Sequence, residues 1–126
     1  MTSKYILKLN NEIIGYTKFE FSDVPMGVIH GKVILEGIES PYNFFKDHCT
    51  KFDVQINSDY PEDEFIATVI IPQLEVFLEN GKKLKGWGGS ISGVGKDDFE
   101  IQFCGITSEV MQTEFNHHFL KYYSKK

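Results

Sequence analysis

The chain has 126 residues, of which 41% are hydrophobic and 25% charged, with a formal net charge of −5 and a pI near 5.3. That length suits one folded domain, and that balance excludes a disordered polymer. The acidic excess argues against a nucleic-acid binder held by phosphate neutralisation, and no apolar run reaches the ~18 residues that a membrane helix needs.

Lys4 to Leu9 alternates apolar and polar side chains, the pattern of a half-buried strand. Asn10-Asn11 supplies a two-residue turn, because asparagine tolerates positive φ, and a second strand is expected from Glu12 to Phe21. Ile14 and Tyr16 share one face of it while Phe19 and Phe21 have the opposite parity, which predicts a bulge near Gly15 or Thr17. Asp23, Pro25 and Gly27 are the residues of a strand corner. Val28 to Gly37 then reads as a strand with a bulge or close approach at Gly31.

Ser40-Pro41 marks a helix start: serine caps free N–H groups, and proline at the first helical position loses nothing by lacking one. Spacings of three and four put Phe44, Phe45 and His48 on the inner side, together with Cys49 and Phe52. Asn43, Lys46, Asp47 and Thr50 point outward. Phe52 to Ile56 reads as a short strand and Asn57 to Glu64 as a loop, followed by a β-branched strand from Phe65 to Ile71 that Pro72 ends. Asn80-Gly81 between alternating runs predicts a type I′ hairpin.

The glycines from Gly86 to Gly95 around Trp87 suit a bending sheet, and Phe99 to Gly105 alternates as a strand. Thr107 or Ser108 caps a helix, Asn116 caps a second short turn, and the terminal lysines favour the helix C-terminal dipole. The expected fold is α+β and mainly β, in a single domain spanning 1–126. It is a curved antiparallel sheet, half-barrel or sandwich of about eight strands, with one central helix and a short C-terminal helix.

Catalytic chemistry finds little purchase. Gly93-Val94-Gly95-Lys96 is followed by Asp97-Asp98 and a strand, whereas a phosphate-binding loop needs a helix there and no repelling carboxylates. His117 and His118 diverge by ~100° on a helix and cannot chelate one metal, so no metal or cofactor is expected. One of them should pack and the other face solvent. The two cysteines, Cys49 and Cys104, form no paired motif, and the N-terminus lacks a signal-peptide pattern, so the cytoplasm is the expected compartment.

Five acids, Asp53, Asp59, Glu62, Asp63 and Glu64, occur from Asp53 to Glu64 with no base among them. Asp59, Glu62, Asp63 and Glu64, with Tyr60 as an aromatic anchor, form the candidate partner-binding set. Carboxylates speed association with a basic protein, and an aromatic anchor supplies affinity. The alternative is a small-molecule-binding or minor enzymatic protein with an aromatic pocket on the curved sheet, lined by Tyr16, Trp87, Phe99 and Phe103.

Two segments carry a resemblance. Asp23, Pro25, Met26, Gly27 and Gly31 match a recurrent Asp-x-Pro-Met-Gly-Val-x-x-Gly segment of a group of small bacterial proteins. Glu100, Ile101, Gly105, Phe115, His117, His118 and Tyr122 match that group's C-terminal end. Asn116 stands where the group usually has proline, and the middle of the chain is unmatched. The group resembles immunity proteins of toxin–immunity systems, including contact-dependent growth inhibition. This resemblance implies a non-enzymatic cytoplasmic protein that binds a cognate toxin, often a basic nuclease, and occludes its active site.

Overall fold

The computed structural model describes residues 4–124. Asn10 and Asn11 both take positive φ, 51° and 70°, and close β1 (Tyr5–Leu9) onto β2 (Glu12–Thr17) in the expected two-residue hairpin. Leu7 pairs with Gly15 and Lys8 with Ile13, so Ile14 is the extra residue of a bulge beside Gly15.

The expected strand from Glu12 to Phe21 breaks in two. β2 stops at Thr17, and β3 (Phe21–Asp23) resumes along the same neighbour, β4 (Val28–Leu35). Between them Phe19 takes φ 45° and turns its ring into the core, 5.1 Å from the Tyr5 ring and 6.1 Å from that of Phe115. Gly31 permits this, since a Cβ there would come within 2.8 Å of the Phe19 Cα. The close approach expected at Gly31 is therefore the backbone of the broken strand. The corner closes as expected, with the N–H groups of Met26 and Gly27 donating to the carbonyls of Asp23 and Val24 at 3.2 and 3.1 Å.

Helix α1 (Pro41–Phe52) starts at Ser40, whose side chain accepts from the Asn43 N–H at 3.4 Å. Phe45 is fully buried and stacks on Phe99 at 5.7 Å, a burial worth ~1.5–3 kcal/mol. Asn43, Asp47 and Thr50 face outward, as their spacing requires. Tyr42 is also buried, which was not expected.

The stretch read as a loop, 57–64, is mostly ordered backbone. β5 (Ile56–Tyr60) leads into a 3-10 turn over Pro61–Asp63 and back through β6 (Phe65–Thr68). β5 forms one edge of the sheet, and none of its side chains is fully buried, so polar residues occupy both faces and hide the strand pattern. β6 is shorter than expected. Thr68 Oγ1 accepts from the Ile91 N–H at 3.2 Å and donates to the Val69 carbonyl at 2.8 Å, where the chain bends.

β7 (Leu74–Phe77), β8 (Gly88–Val94) and β9 (Asp98–Cys104) complete one nine-stranded antiparallel sheet. Its order is β5-β6-β8-β9-β4-β2-β1-β7, with β3 beside β4. β6 and β7 would lie about 29 Å apart in a flat sheet, six steps of ~4.8 Å. Residues 69–73, which join them, can span only about 20 Å. The sheet must roll, and it does so without closing. Its concave face holds the core, including Leu7, Ile29, Ile91, Ile101 and Phe103.

The hairpin after β7 is not type I′. The Gly81 N–H donates to the Leu78 carbonyl at 2.9 Å, and Gly81 (φ 88°) has positive φ whereas Asn80 does not. Asn80 is instead a central residue of the preceding turn, with glycine in the bulge position. At the C-terminus the expected helix and second short turn are two short helices. α2 (Ser108–Thr113) is capped by Thr107, and α3 (Asn116–Tyr123) begins after Phe115, which is buried against Tyr5 at 5.4 Å. Asn116 does not cap; its Nδ2 donates to the Gln112 carbonyl at 3.0 Å. Lys121 lies in the last turn of α3, while Lys125 and Lys126 fall outside the described residues.

Candidate functional site

Two flanks of α1 carry the acidic features. On the first, the buried Tyr42 donates its hydroxyl to Asp59 Oδ1 on β5, and Lys46 Nζ lies 3.1 Å from both the Tyr42 oxygen and Asp59 Oδ2. Tyr42 and Lys46 are four residues apart, hence neighbours on one helix face. The hydrogen bond from Tyr42, helped by Lys46, holds the Asp59 carboxyl below the usual carboxylate range. Hydrogen bonds to Tyr42 and Asp59 raise Lys46. Asp59 thus faces its own helix and anchors the β5–β6 hairpin to it.

The rest of the candidate set faces outward. Tyr60 is 57% exposed, with its ring 5.8 Å from that of Phe65, and these two join Val94 and Asp63 in a shallow open face. Glu62 and Asp63 lie in the 3-10 turn. Glu64 takes φ 52° while its N–H donates to the Pro61 carbonyl at 3.1 Å. All three carboxylates are exposed, and among the described residues none has an ion-pair partner. The structure therefore brings Tyr60, Glu62, Asp63 and Glu64 together on an ordered tip and separates Asp59 from them in role.

The second flank of α1 borders a groove of about 440 Å³, closed on its other side by the β1–β2 hairpin and the segment after β4. Its floor is apolar, with Ile14, Ile38 and Phe44, and Glu12, Glu36 and Asp47 stand at its rim. His48 donates Nε2–H to Gln73 Oε1 at 2.9 Å and lies 4.5 Å from the Phe52 ring. Sequence reasoning missed this groove because its three walls come from separate segments.

The aromatic pocket expected from Tyr16, Trp87, Phe99 and Phe103 does not form. Phe99 and Phe103 are buried in the core and Trp87 is 78% exposed on the surface; of the four, Trp87 and Phe103 share a small cavity of about 90 Å³. Tyr16 is half-buried on β2 under the Lys4 ammonium, 4.1 Å from the ring centre. The reason is strand parity: Phe99 and Phe103 share the inward face of β9 with Ile101. Trp87 instead packs over Gly105, beside the exposed Met26 and Tyr123, in a hollow of about 400 Å³ that has no charged side chain among the described residues lining it. The Gly27 carbonyl accepts there from the Ile106 N–H at 2.9 Å, so the two segments that carry the resemblance lie side by side.

His118 is buried and donates Nε2–H to the Phe19 carbonyl at 2.7 Å, while His117 is exposed, the division expected of the pair. Partial desolvation and the adjacent His118 ring lower the pKa of His117. Burial raises the Cys49 thiol. Among the described residues no group of three His, Cys, Asp or Glu side chains could hold a metal ion, and no helix is long and apolar enough to cross a membrane. Comparison with family models, curated proteins and solved structures gives no match.

Proposed function

We propose that this chain is a non-enzymatic cytoplasmic protein that neutralises a basic protein toxin by binding it and blocking its active site. The observation that carries the reading is the β5–β6 tip. Three exposed carboxylates, without an ion-pair partner among the described residues, sit on regular backbone beside the exposed ring of Tyr60. A tip already held by the Tyr42–Asp59–Lys46 contacts loses little conformational freedom on docking. Its charge would meet the lysines and arginines with which a nuclease holds its substrate, and so steer encounter. The net charge of −5 and the resemblance carried by Asp23 to Gly31 support the same reading. Contact falls to Tyr60, Glu62, Asp63 and Glu64, while Asp59 positions the tip.

The test is a pull-down with this protein as bait, followed by kinetics with the E62K/D63K/E64K variant. A one-to-one complex with a basic protein whose toxic activity is lost on binding is expected. The variant should slow association by about tenfold or more at low salt, with an unchanged melting curve. Equal rates for variant and parent would remove the tip from the account. A bait that captures no basic protein would remove the reading itself.

A further inference from the structure

We propose that the groove between α1 and the β1–β2 hairpin docks a cationic, apolar-flanked segment of the protein partner. The inference rests on the reading that this chain works by binding a basic protein. Three features specify the occupant. Glu12, Glu36 and Asp47 line the groove, and among the described residues none of them has an ion-pair partner. Lys51, the one lysine among the described residues of the lining, has its Nζ 5.6 Å from the centre of the Phe52 ring, so the groove already holds an ammonium against an aromatic face. Ile13 stands 63% exposed at the edge, next to the half-buried Ile38 and Phe44, and offers apolar surface for a neighbouring side chain.

An arginine or lysine fits this arrangement better than a neutral apolar residue. Its stem lies along Ile13 and Phe44 while its head reaches the carboxylates, the division between apolar body and charged tip that such side chains adopt. The floor is stiff. His48 is tied to Gln73 and packed on Phe52, so a side chain entering the groove meets a preformed wall. The groove and the β5–β6 tip lie on opposite flanks of α1, which gives the partner two acidic footholds around one helix.

The experiment is a ¹⁵N–¹H NMR titration of the full chain with an acetylated Leu-Arg-Phe-Arg peptide amide and with its Gln-for-Arg counterpart. The arginine peptide should shift amides of Leu9–Ile14, Glu36–Ile38 and Phe44–Phe52, and the glutamine peptide should bind more weakly. E12Q, E36Q and D47N should each weaken the arginine peptide about two- to fivefold, the range of exposed ion pairs, with unchanged melting curves. Equal response to both peptides would overturn the proposal. Shifts confined to Tyr60–Phe65 would overturn the groove and leave the binding role standing, whereas silence at both places would count against both. An equal response to spermidine would assign the groove to a small polyamine, and concentration-dependent shifts without peptide would assign it to a second copy of the chain. Either result would overturn a partner segment as its occupant.

Discussion

The β5–β6 tip and the Trp87 corner are both exposed, and they are built on opposite principles. The tip is continuous in sequence, charged, and braced from beneath by Tyr42 and Lys46. The corner joins Met26, Trp87 and Tyr123 from three distant segments, has no charged side chain among the described residues that line it, and is held by backbone: the Ile106 N–H on Gly27 and the Trp87 N–H on the Cys104 carbonyl at 2.9 Å. Charge acts over roughly a Debye length and weakens with salt, whereas apolar surface acts only in contact and does not. The tip is suited to capture, and the corner to packing.

The largest effect should come from the corner's backbone. Gly27 has φ 67°, and a Cβ there would come 2.5 Å from the Ile106 carbonyl oxygen. Gly27→Ala adds the left-handed penalty to that overlap, together about 2–4 kcal/mol. Denaturant melts would measure the loss, and the fluorescence of Trp87, the only tryptophan, would report the corner separately. Amide shifts at Tyr60–Glu64 should stay where they are. If they move as much as those of Gly105 and Ile106, the two regions are not independent and the contrast fails.

A smaller effect is expected at the base of the tip. Tyr42→Phe removes the hydroxyl that donates to Asp59 and accepts from Lys46, so the melting temperature should fall. The Asp59 carboxyl lies below its ordinary range in the folded chain. Its contribution is therefore present in full above the unfolded value, near pH 4, and is lost as pH falls through the lower folded value. The gap between parent and Tyr42→Phe should accordingly be wide at pH 7 and narrow in stronger acid. A gap that stays the same from pH 7 to below pH 4 would mean that Tyr42 acts through packing alone, because packing does not titrate.

The same contrast explains what could be read from the sequence. Strand alternation is a local signal, and Phe99 to Gly105 displays it because one face of β9 is core and the other is water. The Ser40-Pro41 start, the asparagine turn and the Asp23–Gly27 corner are local too. Failures came where distant residues decide. Phe19 leaves its strand because Gly31, Tyr5 and Phe115 receive it, and none of these is near it in sequence. β5 reads as a loop because none of its side chains is buried on either face, so its sequence carries no apolar alternation. The acids at 59–64 were visible as a run, but only the fold separates Asp59, turned onto α1, from the three that face water. Tyr42 and Lys46, four residues apart opposite an acidic stretch, were a signal that could have been used.

The smallest effect should be the most informative about which region binds. Trp87 is 78% exposed, and its backbone hydrogen bond to Cys104 survives replacement of the side chain. Trp87→Ala should therefore change stability by about 0.5 kcal/mol or less, the usual range for exposed positions. If capture belongs to the acidic tip, this variant should associate with the proposed basic partner at the parental rate and keep the parental salt dependence. A faster dissociation at unchanged association would instead give the corner a share of the contact, since packed aromatic surface is felt mainly in how long a complex lasts. A variant that both associates slowly and loses its salt dependence would reverse the assignment of roles, because an uncharged surface has no means of steering a distant charge.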